Sequence, residues 1–183
     1  QIDENGVCGE PNKTPIYFRT QQLTDFGHLA YRNCGECNPG KGFNNSRIGY
    51  YYSLRVTGLS DVDTSLPDVI YKNGISNNPR WRMVNLSQSL HESHPNCYYT
   101  LESIHRHPPS PVEKHVRKLE KYLKNISEIR IKAMEFDGGH ELFTLNAFSY
   151  AVERDTIDCE HWTDVSNEWM EQLNQILHRP LKS

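Results

Sequence analysis

VIYKNGISNNPRWR, residues 69–82, changes character halfway along. Val69-Ile70-Tyr71 is β-branched and aromatic, a composition that suits a pleated strand. Gly74 breaks the run. Asn77-Asn78-Pro79 then offers a capping side chain just before a proline at a first helical position, so a helix is expected from 79. Arg80 and Arg82 flank Trp81 one turn into that helix. A strand thus hands two guanidinium groups to a helix, beside a glycine.

Upstream, RIGYYYSLRVT (47–57) alternates as a strand, with Tyr50, Tyr52 and Leu54 on one face and Tyr51, Ser53 and Arg55 on the other. Residues 58–68 are a polar loop, so 47–57 and 68–75 form an antiparallel hairpin. The helix runs from 79 to about 90, with Trp81, Val84 and Leu86 able to pack. Residues 91–96 are a loop, and CYYTLESIH (97–105) is a third strand. Ser110-Pro111 opens the strongest helix, with Glu113 placed as in a capping box. Its stripe is Val112, Val116, Leu119, Leu123 and Ile126. Residues 130–136 suit a fourth strand, and 141–146 a strand or a helix start. A last helix is expected over 163–178, capped by Thr163, with Trp169, Leu173, Ile176 and Leu177 as its apolar face. The expected fold is α/β in the α+β sense: a small antiparallel or mixed sheet flanked by helices, with an N-terminal turn-rich subdomain. The expected domains are a Cys-containing segment (1–45), a main module (46–155) and a C-terminal helical extension (156–183).

The whole chain has 183 residues and a net charge of −3, so any anion-binding surface must be local. Apolar residues make up 36%, and no apolar run reaches the ~18 residues of a membrane span, which points to no membrane partner. The chain opens with Gln1 and no signal-peptide pattern, and reads as a processed or trimmed start. An intracellular location is the expectation, cytoplasmic, or nuclear in a eukaryote. Four sequons, at Asn12, Asn44, Asn85 and Asn125, support the minority reading of a secreted, glycosylated binding module.

Cys34-Gly35-Glu36-Cys37 is a Cys-x-x-Cys knuckle. With Cys8 and His28 it supplies the four ligands a structural zinc requires. A small loop with free thiols, or a Cys34–Cys37 redox pair, is the competing reading.

The order of motifs resembles the GIY-YIG nuclease superfamily over about 47–150, in particular its branch with a Tyr-Lys-Ile-Gly second motif. The first motif is Gly49-Tyr50-Tyr51-Tyr52-Ser53-Leu54-Arg55. The second is Tyr71-Lys72-Asn73-Gly74-Ile75-Ser76-Asn77-Asn78-Pro79-Arg80-Trp81-Arg82. Leu119-Glu120 matches the Leu-Glu of the branch's long helix, and Glu141-Leu142-Phe143 its later Glu-x-Phe element. Two positions depart: Asn73 replaces an apolar residue, and Leu86 stands where many members carry His or Tyr.

The resemblance implies a metal-dependent endonuclease that hydrolyses DNA phosphodiesters. Tyr52 would orient or deprotonate the attacking water, helped by the positive field of Lys72. Arg82, with Arg80 as the competing choice, would clamp the scissile phosphate. Glu120 would hold one divalent cation, Mg²⁺ or Mn²⁺. Tyr50, Arg80, Lys118 and Asn146 are candidate substrate contacts, Asn146 as a bracing asparagine. Lys114, Arg117, Lys118, Lys121 and Lys124 give the long helix a basic face for DNA phosphates, or a solvated face of Glu-Lys pairs. His91 and His94 are candidate proton donors in place of residue 86. An inactive nucleic-acid-binding relative is the alternative, and a homodimer is one option for assembly.

Overall fold

The computed structural model describes residues 43–131, 134, 139, 141–154, 156–157 and 159–179. The zinc candidates Cys8, His28, Cys34 and Cys37 lie outside the described residues. Residues Asn44–Ser183 form one compact unit.

The hairpin read from the sequence is the centre of the sheet. β1 (Gly49–Thr57) pairs antiparallel with β2 (Ile70–Ser76), and on its other side with β3 (Tyr98–His107). Two short strands, β4 (Leu142–Phe143) and β5 (Thr163–Asp164), close the edges. The sheet is antiparallel throughout, in the order β4-β2-β1-β3-β5. Tyr51, Tyr52, Ser53 and Leu54 of β1 are all buried. A strand covered on both faces must be central, with helices above and below. The register of β1 on β3 slips between Ser53 and Leu54, a bulge that leaves Glu102 as the extra residue.

The helices, in chain order, are α1 (Leu59–Val62), α2 (Pro79–Ser93), α3 (His115–Lys124), α4 (Ala147–Glu153) and α5 (Ser166–Leu177). Side chains alternate along β1, so its neighbours reveal which layer each helix occupies. Tyr50 meets Trp169 of α5 edge-on, and Tyr52 meets Arg82 of α2. Tyr51 packs on Phe148 of α4, in a cluster with Leu119 and Leu123 of α3. Helices α2 and α5 therefore cover one face, and α3 and α4 the other. Helix α5 packs on β3 and α2, so Ser166–Leu177 is built into the same unit.

Several local expectations change. Gly74 does not end the strand: it lies inside β2. The long helix starts at His115 rather than Ser110, because Lys114 turns left-handed (φ 55°) just before it. Ser110 still contributes, accepting the His115 N–H on its hydroxyl at 3.4 Å. Val112 is 79% exposed, so the apolar stripe begins at Val116. Thr163 is not a cap but half of β5, paired with Arg106. Of 130–136, Arg130 makes an isolated bridge to Phe143. The stretch over 147–153 is a helix capped by Asn146, whose Oδ1 accepts the N–H groups of Phe148 and Ser149. His91 lies within α2 and His94 at its C-cap, not in a loop. Trp81 is only half-buried, and Met83, Leu86 and Leu90 form the deeply buried stripe of α2.

Candidate active site

Tyr52 and Gly74 are direct cross-strand partners. The Tyr52 ring lies across the glycine: a Cβ at position 74 would sit 2.4 Å from the hydroxyl and 2.8 Å from Cζ. Gly74 is not among the positive-φ glycines, so room for the ring is what requires it.

Helix α2 starts beside this pair. Asn78 caps it by accepting the Trp81 N–H at 3.1 Å, and Pro79 occupies the first turn. The Ser76 hydroxyl accepts the Asn78 N–H at 2.9 Å, tying the cap to the end of β2. That fixed start aims Arg82, whose Nε donates to the Tyr52 hydroxyl at 3.0 Å. Tyr52 is fully buried and its pKa is pushed up to about 12. Burial is the main cause, with the charges of Glu141 and Glu120 adding to it and the Arg82 guanidinium working against it.

Lys72 is also fully buried. Its ammonium donates to the carbonyl of Asn73 at 3.0 Å and pairs with Glu141 Oε2. The cation bonded to Tyr52 is thus Arg82, while Lys72 is committed to Glu141. Burial lowers the Lys72 pKa to about 8 and Glu141 counters it, so the ammonium stays charged at neutral pH. Burial would raise Glu141, but Lys72 and Lys124 overcome it and hold the carboxyl down at about 2.

Lys124, at the end of α3, completes a chain of charges. Its ammonium lies 2.6 Å from Glu141 Oε1 and 3.2 Å from Glu120 Oε1. Glu120 and Lys124 are an i,i+4 pair. Sequence reasoning left Glu141 and Lys124 out of the site. The i,i+4 spacing from Glu120 is the available signal for Lys124, and the Glu141-Leu142-Phe143 match is the signal for Glu141, which the β2–β4 pairing delivers.

The other candidates serve elsewhere. Tyr50 packs on Trp169, and Arg82 rather than Arg80 meets Tyr52. Asn146 caps α4 and donates to Ser103 at 3.0 Å, so it braces the sheet rather than a ligand. Lys118 is exposed and lines a cavity of about 300 Å³ with His115 and Trp162. At 3.6 residues per turn, that flank of α3 is opposite the one carrying Glu120 and Lys124. His91 is about 13 Å along the helix axis from Arg82. Cys97 and Cys159 are free thiols. No helix among the described residues is long and apolar enough to cross a membrane.

A divalent cation fits this donor set poorly. Mg²⁺ accepts one protein carboxylate plus waters. Here Glu120 already holds an ammonium, and Glu141 holds two. Among the described residues, no three His, Cys, Asp or Glu side chains come together as metal ligands. No protein-family model matches the chain, and no curated protein or solved structure is found to be similar to it.

Proposed function

We propose that the chain is a DNA endonuclease of the GIY-YIG type, hydrolysing phosphodiester bonds at a Tyr52, Lys72, Arg82 and Glu120 site. The observation that carries this reading is the Tyr52–Arg82 hydrogen bond across Gly74. It joins the two motifs of the resemblance at one point. Hydrolysis of a phosphodiester requires neutralisation of the phosphate and an oriented water. Arg82 is half-buried, and with Nε fixed on Tyr52 its guanidinium is held in one orientation to clamp a phosphate. Tyr52, neutral at physiological pH, acts as a hydrogen-bonding partner rather than as a base. Its oxygen accepts from Arg82, so its part is to hold the guanidinium that meets the phosphate. Lys72 and Lys124 supply positive field behind the phosphate, and Glu120 and Glu141 keep those ammonium groups in place.

A nucleic-acid-binding relative without cleavage is the second reading. It is favoured by the complete burial of Tyr52 and Lys72 and by the engagement of Glu120 with Lys124. A plasmid-nicking assay separates the two, run with Mg²⁺, with Mn²⁺ and in EDTA on wild type, Arg82→Ala and Glu120→Ala. Nicking that Arg82→Ala abolishes supports the endonuclease. Inert protein that still retains DNA on a filter supports the second reading, and no retention removes both.

A further inference from the structure

The cations around Glu120 and Glu141 follow from the fold. β2 brings Lys72 to the edge where β4 begins, with Asn73 N–H donating to the Glu141 carbonyl at 3.2 Å. Helix α3 brings Lys124 to the same carboxylate, one turn beyond Glu120. Lys124 therefore bridges two carboxylates from different elements, at 2.6 and 3.2 Å. The two carboxylates are already balanced: Lys72 and Lys124 stand against Glu120 and Glu141. A divalent ion added at Glu120 would sit against the Lys124 ammonium, and like charges at that separation repel. A phosphate faces the opposite situation, because the guanidinium of Arg82, held on Tyr52, attracts it.

We propose that Lys124 is the resident cation of the Glu120–Glu141 pair, that it excludes a divalent ion, and that this chain handles phosphate without one. The last part rests on the nuclease reading; the exclusion of the metal does not. The ammonium differs from a metal in one chemical respect. It donates hydrogen bonds and cannot acidify a bound water as a Lewis acid does. Its contribution to a reaction is therefore electrostatic, in support of Arg82.

Mn²⁺ binding, followed by electron paramagnetic resonance, tests the exclusion independently of cleavage. Wild type and Glu120→Gln should bind Mn²⁺ equally weakly. Lys124→Met should bind it at least about tenfold more tightly, since the repelling charge is gone. Lys124→Arg, which keeps the charge, should not gain. The double variant Lys124→Met/Glu120→Gln should lose the gain. Wild type binding Mn²⁺ more tightly than Glu120→Gln would overturn the proposal, and so would a gain in Lys124→Met that survives Glu120→Gln. The comparison of wild type with Glu120→Gln stands even if Lys124→Met does not fold. In the plasmid assay, nicking by wild type should persist in EDTA, whereas nicking strictly dependent on Mg²⁺ would overturn metal-free action. If no condition gives nicking, the nuclease reading fails and the Mn²⁺ titration still decides the role of Lys124.

Discussion

Ser53 and Asn73 face each other across the β1–β2 pairing, both buried, and neither side chain reaches a hydrogen-bond partner among the described residues. A buried amide without partners costs stability that an apolar side chain does not. Asn73→Val, which also suits a strand, should stabilise the protein by about 1–2 kcal/mol. Ser53→Ala should add a smaller gain. Urea unfolding measures both; a fall in stability for Asn73→Val would mean that the amide has a partner that matters.

Gly74→Ala should be costly out of proportion to one methyl group. The new Cβ would lie 2.4 Å from the Tyr52 hydroxyl, so the ring must leave and the Arg82 bond must break. A loss of about 2–3 kcal/mol is expected, as for overpacking elsewhere. Tyr52→Leu in the Gly74→Ala background should recover part of that stability without restoring activity. A double-mutant cycle by thermal unfolding gives the coupling.

Tyr52 should titrate near 12, above the ordinary tyrosine value of about 10. A folded-state pKa above the unfolded one stabilises the fold at pH below about 10, and that contribution is lost as pH rises towards 12. Arg82→Leu removes the largest lowering influence and should move the titration higher. Spectrophotometric titration of wild type against Tyr52→Phe identifies the group. Arg82→Lys, which lacks the planar fork, should lose activity by about 10²-fold or more in the nicking assay.

The Glu141 pairing makes an acid limb. Its pKa is held at about 2, below the ordinary carboxylate range, so its contribution is complete above about 4.5 and is lost as pH falls towards 2. The Lys72 pKa is lowered too, to about 8, so its burial as an ammonium costs stability below pH 8 and the cost is relieved as pH rises towards the ordinary lysine range. Glu141→Gln should destabilise by about 3–5 kcal/mol at neutral pH, since Lys72 is left buried without its carboxylate. It should also flatten the acid limb of a stability profile measured by denaturant unfolding.

The local signals that proved readable were those written in neighbouring residues. Asn78-Pro79 marked the start of α2 correctly, because a cap and a proline act within one turn. The alternation of 50–55 gave the hairpin and both of its faces. The start of α3 was misplaced because Ser110, Pro111 and Glu113 satisfy the capping pattern, while the left-handed turn at Lys114 leaves no trace in composition. β4 and β5 have two residues each, too few for any period to register. Tyr52, Arg82 and Glu120 were named from motif order, but their relations were not legible. The assignment of Lys72 to Glu141 depends on an edge pairing 69 residues apart in the chain.

The seating of Tyr52 on Gly74 has a consequence for how such sites are inherited. The two positions cannot drift separately, since any side chain at 74 evicts the ring and any other residue at 52 leaves the glycine without its purpose. Related chains should therefore keep both or lose both, with a non-glycine at the second position accompanied by a smaller residue at the first. A comparison of sequences that scores the two positions as one paired character, 22 residues apart here, would separate descendants that retained this arrangement from those that kept only the fold.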